Sequence, residues 1–217
     1  MTTSVLIMAK APVPGQVKAR LCPPCTPEEA AAVAVAALAD TLAAVAGCAS
    51  RRKVLVLDGD PGPWLPTQVE VIAQRGRGLD ERLAHAFEDV GGPALALGMD
   101  TPQVTGSELD ALLKALGGPG RPAVFGPAAD GGYWVIGLPA GVEPAAVFGG
   151  IPMSAPSTGA RQEARLCAMG FDVVHAAVRQ DIDTIDDLAA VVATAPWTLT
   201  AATARELGLT GAVPCPR

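Results

Sequence analysis

Apolar residues follow one another almost without break over residues 4–8, as expected of a strand buried on both faces. Loop residues come next, with Pro12, Pro14, Gly15, Pro23 and Pro24 spread between Ala11 and Cys25. Thr26-Pro27-Glu28-Glu29 then supplies a helix start: Thr as N-cap, Pro at the first helical position and Glu three residues after the cap. Ala30, Val33, Ala34, Ala37, Leu38, Thr41 and Val45 share one face of the predicted helix, which Gly47 closes. Further on, 53–57, 69–73, 94–97, 123–125, 133–138 and 171–175 have strand patterns, whereas 79–89, 107–116, 159–169 and 185–192 have helical ones. This alternation predicts an α/β fold: one domain over 1–217, with a mostly parallel central sheet and helices on both faces. In such sheets ligands bind beyond the carboxyl ends of the strands, so the residues just after each strand are the ones to inspect.

Composition narrows the function. The formal net charge is −6, which argues against a protein that grips nucleic acid through phosphates. Residues 30–46 are rich in small apolar side chains, but Asp40 interrupts them and Glu28 and Glu29 precede them, so an amphipathic helix is expected and not a membrane span. The first apolar run is too short for a secretion signal and no basic residue precedes it, so a cytoplasmic protein is expected. Five unevenly spaced cysteines, Cys22, Cys25, Cys48, Cys167 and Cys215, do not describe a disulfide framework. Cys22-Pro-Pro-Cys25 lacks a second ligand pair for zinc and sits in a Pro-rich loop, so two unreactive thiols are expected there.

Basic residues are scarce, only 16 in all, yet Lys10, Lys18 and Arg20 fall within eleven positions of the first strand's end. Gly15 lets that loop turn tightly, and cations with free amides at a strand end can cradle a polyphosphate. The loop has no Gly-Lys-Ser/Thr, so it is not a P-loop, and the plainer reading is a solvated basic loop. Acids stand at other strand ends. Asp100 follows a buried strand and precedes Pro102, which turns the chain and faces the carboxylate toward the crevice. Asp181 and Asp183, two residues apart, project to the same side if the stretch is extended. Together the three would make a hard oxygen site for Mg²⁺ or Mn²⁺, completed by substrate phosphate. Singly, each is equally a turn former or an N-cap, with Thr184 or Asp183 as that cap, while Asp186 and Asp187 suit the first turn of a helix.

Two further segments stay open at this level. Asp130-Gly131-Gly132 joins two strands; Asp130 can orient an acceptor, act as a base, bind a donor ribose or simply shape a hairpin. Residues 74–82, with Arg77 and Asp80, either contact the base or ribose of a nucleotide or form a charged lead into a helix. His85 and His175 have no Ser or Cys partner in a recognisable motif, which leaves a hydrolase triad unsupported.

These motifs, Lys10-Ala-Pro-Val-Pro-Gly15 with Lys18-Ala-Arg20-Leu21, Gly98-Met-Asp100-Thr-Pro102, Asp130-Gly-Gly-Tyr133 and Asp181-Ile-Asp183-Thr with Asp187-Leu188, occur in an order that resembles a bacterial family of GT-A-type transferases labelled arsenosugar-biosynthesis glycosyltransferases. Phospholactate guanylyltransferases are more distantly similar. The resemblance implies a GT-A, nucleotide-diphospho-sugar-transferase-like fold, a metal on Asp100, Asp181 and Asp183, and donor phosphates on Lys10, Lys18 and Arg20. Ala19 stands where the family usually has Thr, and Met153-Ser154 where many members carry Trp-Ser-Thr, so the acceptor side transfers least.

Three functions follow as expectations. The leading one is metal-dependent nucleotidyl transfer from a nucleoside triphosphate to a small phosphate- or carboxylate-bearing acceptor, with Lys18, Arg20 and Asp130 as catalytic residues and Lys10, Gly15, Arg77 and Asp80 as donor contacts. Glycosyl transfer from a nucleotide sugar is the alternative. A non-catalytic nucleotide-binding protein is the third. No membrane or nucleic-acid partner is expected, and nothing in the sequence sets an oligomeric state.

Overall fold

The computed structural model describes residues 3–66 and 69–209; Cys215 lies outside them. Among these residues seven strands, β1 (Ser4–Lys10), β2 (Arg52–Asp58), β3 (Glu70–Ala73), β4 (Ala94–Gly98), β5 (Pro122–Pro127), β6 (Tyr133–Leu138) and β7 (Asp172–His175), form one sheet in the order β3-β2-β1-β4-β6-β5-β7. All neighbours are parallel except β6, which runs antiparallel to both β4 and β5. The short connection through Asp130 and the two glycines leaves room only for a hairpin, so β6 is the one reversed strand. Side chains alternate between two cores. Val5, Ile7, Leu55, Leu57, Leu95 and Leu97 face one, and Leu6, Val54, Val56, Ala94 and Ala96 the other. The expected mostly parallel α/β sandwich is therefore the observed one.

Among the described residues seven helices pack around the sheet: α1 (Pro27–Gly47), α2 (Leu79–Val90), α3 (Gly106–Leu116), α4 (Pro144–Phe148), α5 (Thr158–Ala168), α6 (Ile185–Thr194) and α7 (Leu199–Glu206), with a 3₁₀ turn at Ala19–Leu21. The capping box that opens α1 is formed: Glu29 N–H donates to Thr26 Oγ1 at 3.2 Å and Thr26 N–H to Glu29 Oε2 at 2.8 Å. The helix buries Ala31, Ala36 and Leu42 beyond its one expected face, and that face is itself divided: Ala34, Leu38 and Val45 join the core with the sheet, while Ala30, Val33 and Ala37 pack with α6 and α7. Sequence periodicity did not reveal α7, whose buried residues Thr200, Ala201 and Ala204 are small and weakly apolar. Asp40 secures it, accepting the N–H groups of Leu199 and Thr200 at 2.9 and 2.8 Å. By length and composition alone α1 would cross a membrane, yet 56% of its most apolar window is buried inside the protein. The acid that interrupts it binds a neighbouring helix end.

Register gathers the strand ends. Lys10 pairs with Asp58 and Met8 with Gly98, so β1, β2 and β4 stop along one edge of the sheet. Since β6 starts at that edge, the β5–β6 hairpin loop lies there too. After β7 the chain continues beside β5: Arg179 N–H donates to Pro127 O at 3.1 Å and Ala129 N–H to Arg179 O at 2.9 Å. This extension carries Asp181 and Asp183 to the same edge.

The two hairpin glycines serve a backbone contact. Gly131 has φ +90°, and a Cβ on it would collide with the carbonyl oxygen of Pro156; its own carbonyl accepts Gly159 N–H at 2.8 Å. Gly131→Ala therefore combines an unfavourable φ with a steric clash. It is expected to lose about 2 kcal/mol of stability and about 4–8 °C of Tm, read by thermal unfolding.

Candidate active site

A cleft of about 1130 Å³ opens along this edge, and Lys10, Lys18, Arg20, Asp100, Asp130, Asp181 and Asp183 all line it. The early cations and the later aspartates thus share one cavity. Lys18 is central. Its Nζ lies 2.8 Å from Asp100 Oδ1 and 3.7 Å from Asp183 Oδ1, and it donates to the carbonyl oxygen of Ile182. Arg20 Nη1 donates to the other oxygen of Asp183, at 2.6 Å. Lys10, exposed at the mouth, holds position through its backbone N–H, which faces Met99 Sδ at 3.4 Å.

Local order explains how the acids meet. Ile182 is fully buried between Asp181 and Asp183, so the two carboxylates flank it, as the extended reading requires. Ile182 N–H donates to Asp100 O at 3.1 Å, which ties this segment to the turn after β4. Thr184 is the N-cap of α6. Asp187 answers it and accepts the N–H groups of Asp183 and Thr184, at 3.2 and 2.7 Å, which fixes the acidic turn. The structural reading of Asp187 therefore holds, and Asp186 also sits in that first turn.

Ligand atoms of Asp130, Asp181 and Asp183 lie within 4.8 Å of one another. This differs from the expected trio: Asp130 joins Asp181 and Asp183, while Asp100 stands across Lys18. The hairpin makes the difference, because Asp130 Oδ1 accepts Gly132 N–H at 2.7 Å and is held over the cleft. Burial above all, then the charge of Asp130 and to a lesser degree those of Asp183 and Asp100, pushes the Asp181 carboxyl up to about 6. Among the described residues Asp181 Oδ1 is buried without a hydrogen-bond partner, and Asp100 Oδ1 meets Lys18 at ion-pair distance but outside hydrogen-bond alignment. Clustered hard oxygens from Asp130, Asp181 and Asp183, with Asp181 Oδ1 unsatisfied, fit a divalent cation such as Mg²⁺ or Mn²⁺.

The neighbouring wall is built by residues that strand-end reasoning reached only in part. Arg82 donates to Asp58 Oδ2 at 2.7 Å and Gln74 Oε1 at 3.1 Å, and Gln74 donates to Ala9 O and Val56 O. Asp58 ends β2, so the rule that found Asp100 applies to it equally. Leu79 and Arg82 lie one helical turn apart on the cleft side of α2. Arg77 and Asp80 do not line the cleft. The first is exposed, with its N–H on Glu81 Oε2, and the second turns toward Gly150 N at 3.3 Å. Gly15 has the positive φ a tight turn needs, +75°, but stands at an open loop tip off the cleft wall. Tyr133, Met153 and Thr158 close the far side; burial and then Asp80 push the Tyr133 phenol up, so it is a neutral hydroxyl there. Cys25 is buried, and burial followed by Cys22 and Glu29 pushes its thiol up, in keeping with an unreactive Cys25.

The chain shares its fold with nucleotide-diphospho-sugar transferases and cytidylyltransferases. A family model described as "Uncharacterized protein conserved in bacteria (DUF2064)" matches residues 29–155, more than half of the chain, and the chain belongs to that family. The matched segment holds Asp100 and Asp130. No curated protein matches the chain significantly. Among solved structures, a protein from Desulfovibrio desulfuricans G20, provisionally described as a nucleotide-diphospho-sugar transferase, is 27% identical with TM-score 0.86 over 97% of each chain. A CMP:2-keto-3-deoxy-manno-octonic acid synthetase complexed with CTP shares the fold at 14% identity and TM-score 0.59, covering 95% of this chain and 100% of that one. Rv0371C of Mycobacterium tuberculosis H37Rv in complex with manganese does so at 19% identity and TM-score 0.51, covering 89% and 100%.

Proposed function

We propose that this protein is a cytoplasmic, metal-dependent nucleotidyltransferase that moves the nucleotidyl group of a nucleoside triphosphate onto a small phosphate- or carboxylate-bearing acceptor. The observation that carries this reading is that all three loop cations, Lys10, Lys18 and Arg20, line one cleft with Asp100, Asp181 and Asp183. An acceptor oxygen forms the new bond to the α-phosphorus as the bond to the bridging oxygen breaks, and pyrophosphate leaves with that electron pair. Lys10, Lys18 and Arg20 neutralise the departing charge, and the Arg82–Asp58–Gln74 network braces the wall beside β1. Asp100, Asp181 and Asp183, joined by Asp130, would hold the cation, which when bound lowers the charge on the donor phosphates. Asp130 also stands where it can orient the acceptor.

Glycosyl transfer is the second reading. The likeness to the Desulfovibrio protein favours it, as does the engagement of Lys18 and Arg20 with aspartates, which leaves Lys10 as the cation of the basic loop without a carboxylate partner among the described residues. The motif resemblance to arsenosugar-biosynthesis-type enzymes points the same way. Asp130 would then take the proton of an acceptor hydroxyl. Product analysis with Mn²⁺, nucleoside triphosphates, nucleotide sugars and candidate acceptors separates the two. Pyrophosphate release is the expected result; nucleoside diphosphate release instead would replace the first reading by the second. Nucleotide binding without either product would leave a binding protein.

A further inference from the structure

The acids that would hold a cation already have one. Lys18 Nζ sits between Asp100 and Asp183, and its side chain is only 6% exposed, whereas the Arg20 side chain on the far oxygen of Asp183 is 69% exposed. A buried ammonium is stable only where carboxylates and acceptors replace its water, and here two carboxylates and the Ile182 carbonyl do so. Backbone geometry aims it inward. Lys18 has φ 51° and ψ 35°, a left-handed conformation uncommon for a residue with a Cβ, between the buried anchors Val17 and Leu21. Those anchors belong to two different cores, so the lysine can swing while the loop stays seated.

The geometry points to Lys18 as a built-in counter-ion that bars a free divalent cation from the acidic cluster and yields when a nucleotide brings the cation with it. Asp183 is the shared element: it belongs to the Asp130–Asp181–Asp183 cluster and also faces Lys18. A dipositive ion on that cluster would lie close to the ammonium, and repulsion between like charges at a few ångströms weakens metal binding substantially. Donor phosphates give the ammonium an alternative partner outside the cluster, so cation and nucleotide favour each other's binding. The second half of this inference rests on the nucleotide-donor reading; the first half does not.

The test is titration of the whole protein with Mn²⁺, following free ion by electron paramagnetic resonance, without and with a nucleoside triphosphate. Lys18→Met retains the length of the stem and removes the charge. It is expected to bind Mn²⁺ alone about tenfold or more tightly than the parent, and to lose most of the enhancement by nucleotide. Lys18→Arg retains the charge and should bind Mn²⁺ alone as weakly as the parent. If Lys18→Met does not fold, Lys18→Gln supplies an amide donor for the Ile182 carbonyl and serves for the same measurement. Equal affinity of parent and neutral variants for Mn²⁺ alone would overturn the counter-ion role. Tightening without any nucleotide enhancement in the parent would leave the counter-ion standing and overturn its coupling to nucleotide, together with the donor reading.

Discussion

Asp183→Ala is expected to reduce pyrophosphate release on the order of 10³-fold and to abolish the thermal stabilisation that Mn²⁺ gives with nucleotide. Three relations converge on this carboxylate. It contributes to the acidic cluster with Asp130 and Asp181, it faces Lys18 at 3.7 Å, and it accepts from Arg20 at 2.6 Å. Its loss removes a cation ligand, releases Arg20 and takes away one of the two carboxylates that hold Lys18. The variant should accordingly bind nucleotide without metal at least as well as the parent, since Lys18 and Arg20 are freer to meet phosphates. Steady-state kinetics with a pyrophosphate readout and calorimetry in the presence of a chelator measure the two effects separately. Turnover within tenfold of the parent would remove Asp183 from the site.

Asp181→Asn is expected to act in opposite directions on the empty and the loaded protein. The Asp181 carboxyl is pushed up to about 6 by burial and by Asp130, so its charge is unfavourable in the folded state. Between the ordinary carboxylate range and about pH 6, the folded protein binds more protons at this group than the unfolded chain. Stability from it is therefore present at low pH and lost as pH rises through about 6. At pH 7.5, without metal, the amide should stabilise the fold by about 1–2 kcal/mol and raise Tm by about 2–8 °C, an advantage that vanishes near pH 4. Metal binding runs the other way. The parent should lose Mn²⁺ affinity steeply as pH falls below 6, about tenfold per unit, because the ion requires the carboxylate. The variant should respond to Mn²⁺ weakly at every pH. Unfolding curves across pH with and without Mn²⁺ decide it: an amide that lowers stability at pH 7.5 and retains the full Mn²⁺ response would contradict the assignment of Asp181.

Much of this architecture is legible along the chain. Unbroken apolar runs such as that of β1 mark strands buried on both faces, and Thr26-Pro27-Glu28-Glu29 marks the start of α1, because capping is local chemistry. Pro102 after Asp100 and the flanking of Ile182 by two acids likewise reflect nearest-neighbour geometry. The helix α7 escaped because its apolar face is made of Thr and Ala, whose burial depends on α1 lying opposite. The same holds for Asp40, which reads as an interruption in α1 until the end of α7 is seen to rest on it.

Sequence by itself determined the mostly parallel α/β plan, the edge at which a site is expected, and the residue types gathered there: a few cations early, aspartates in the middle and near the end. Only the tertiary structure decided how those charges pair. Strand order brings residue 18 beside residues 100 and 183, and the reversal of β6 hangs Asp130 over Asp181. Local propensity acts over a few residues and leaves its signature in spacing. Contacts between charges that are 80 to 165 positions apart follow from sheet register and loop anchoring, which no short stretch of the chain encodes.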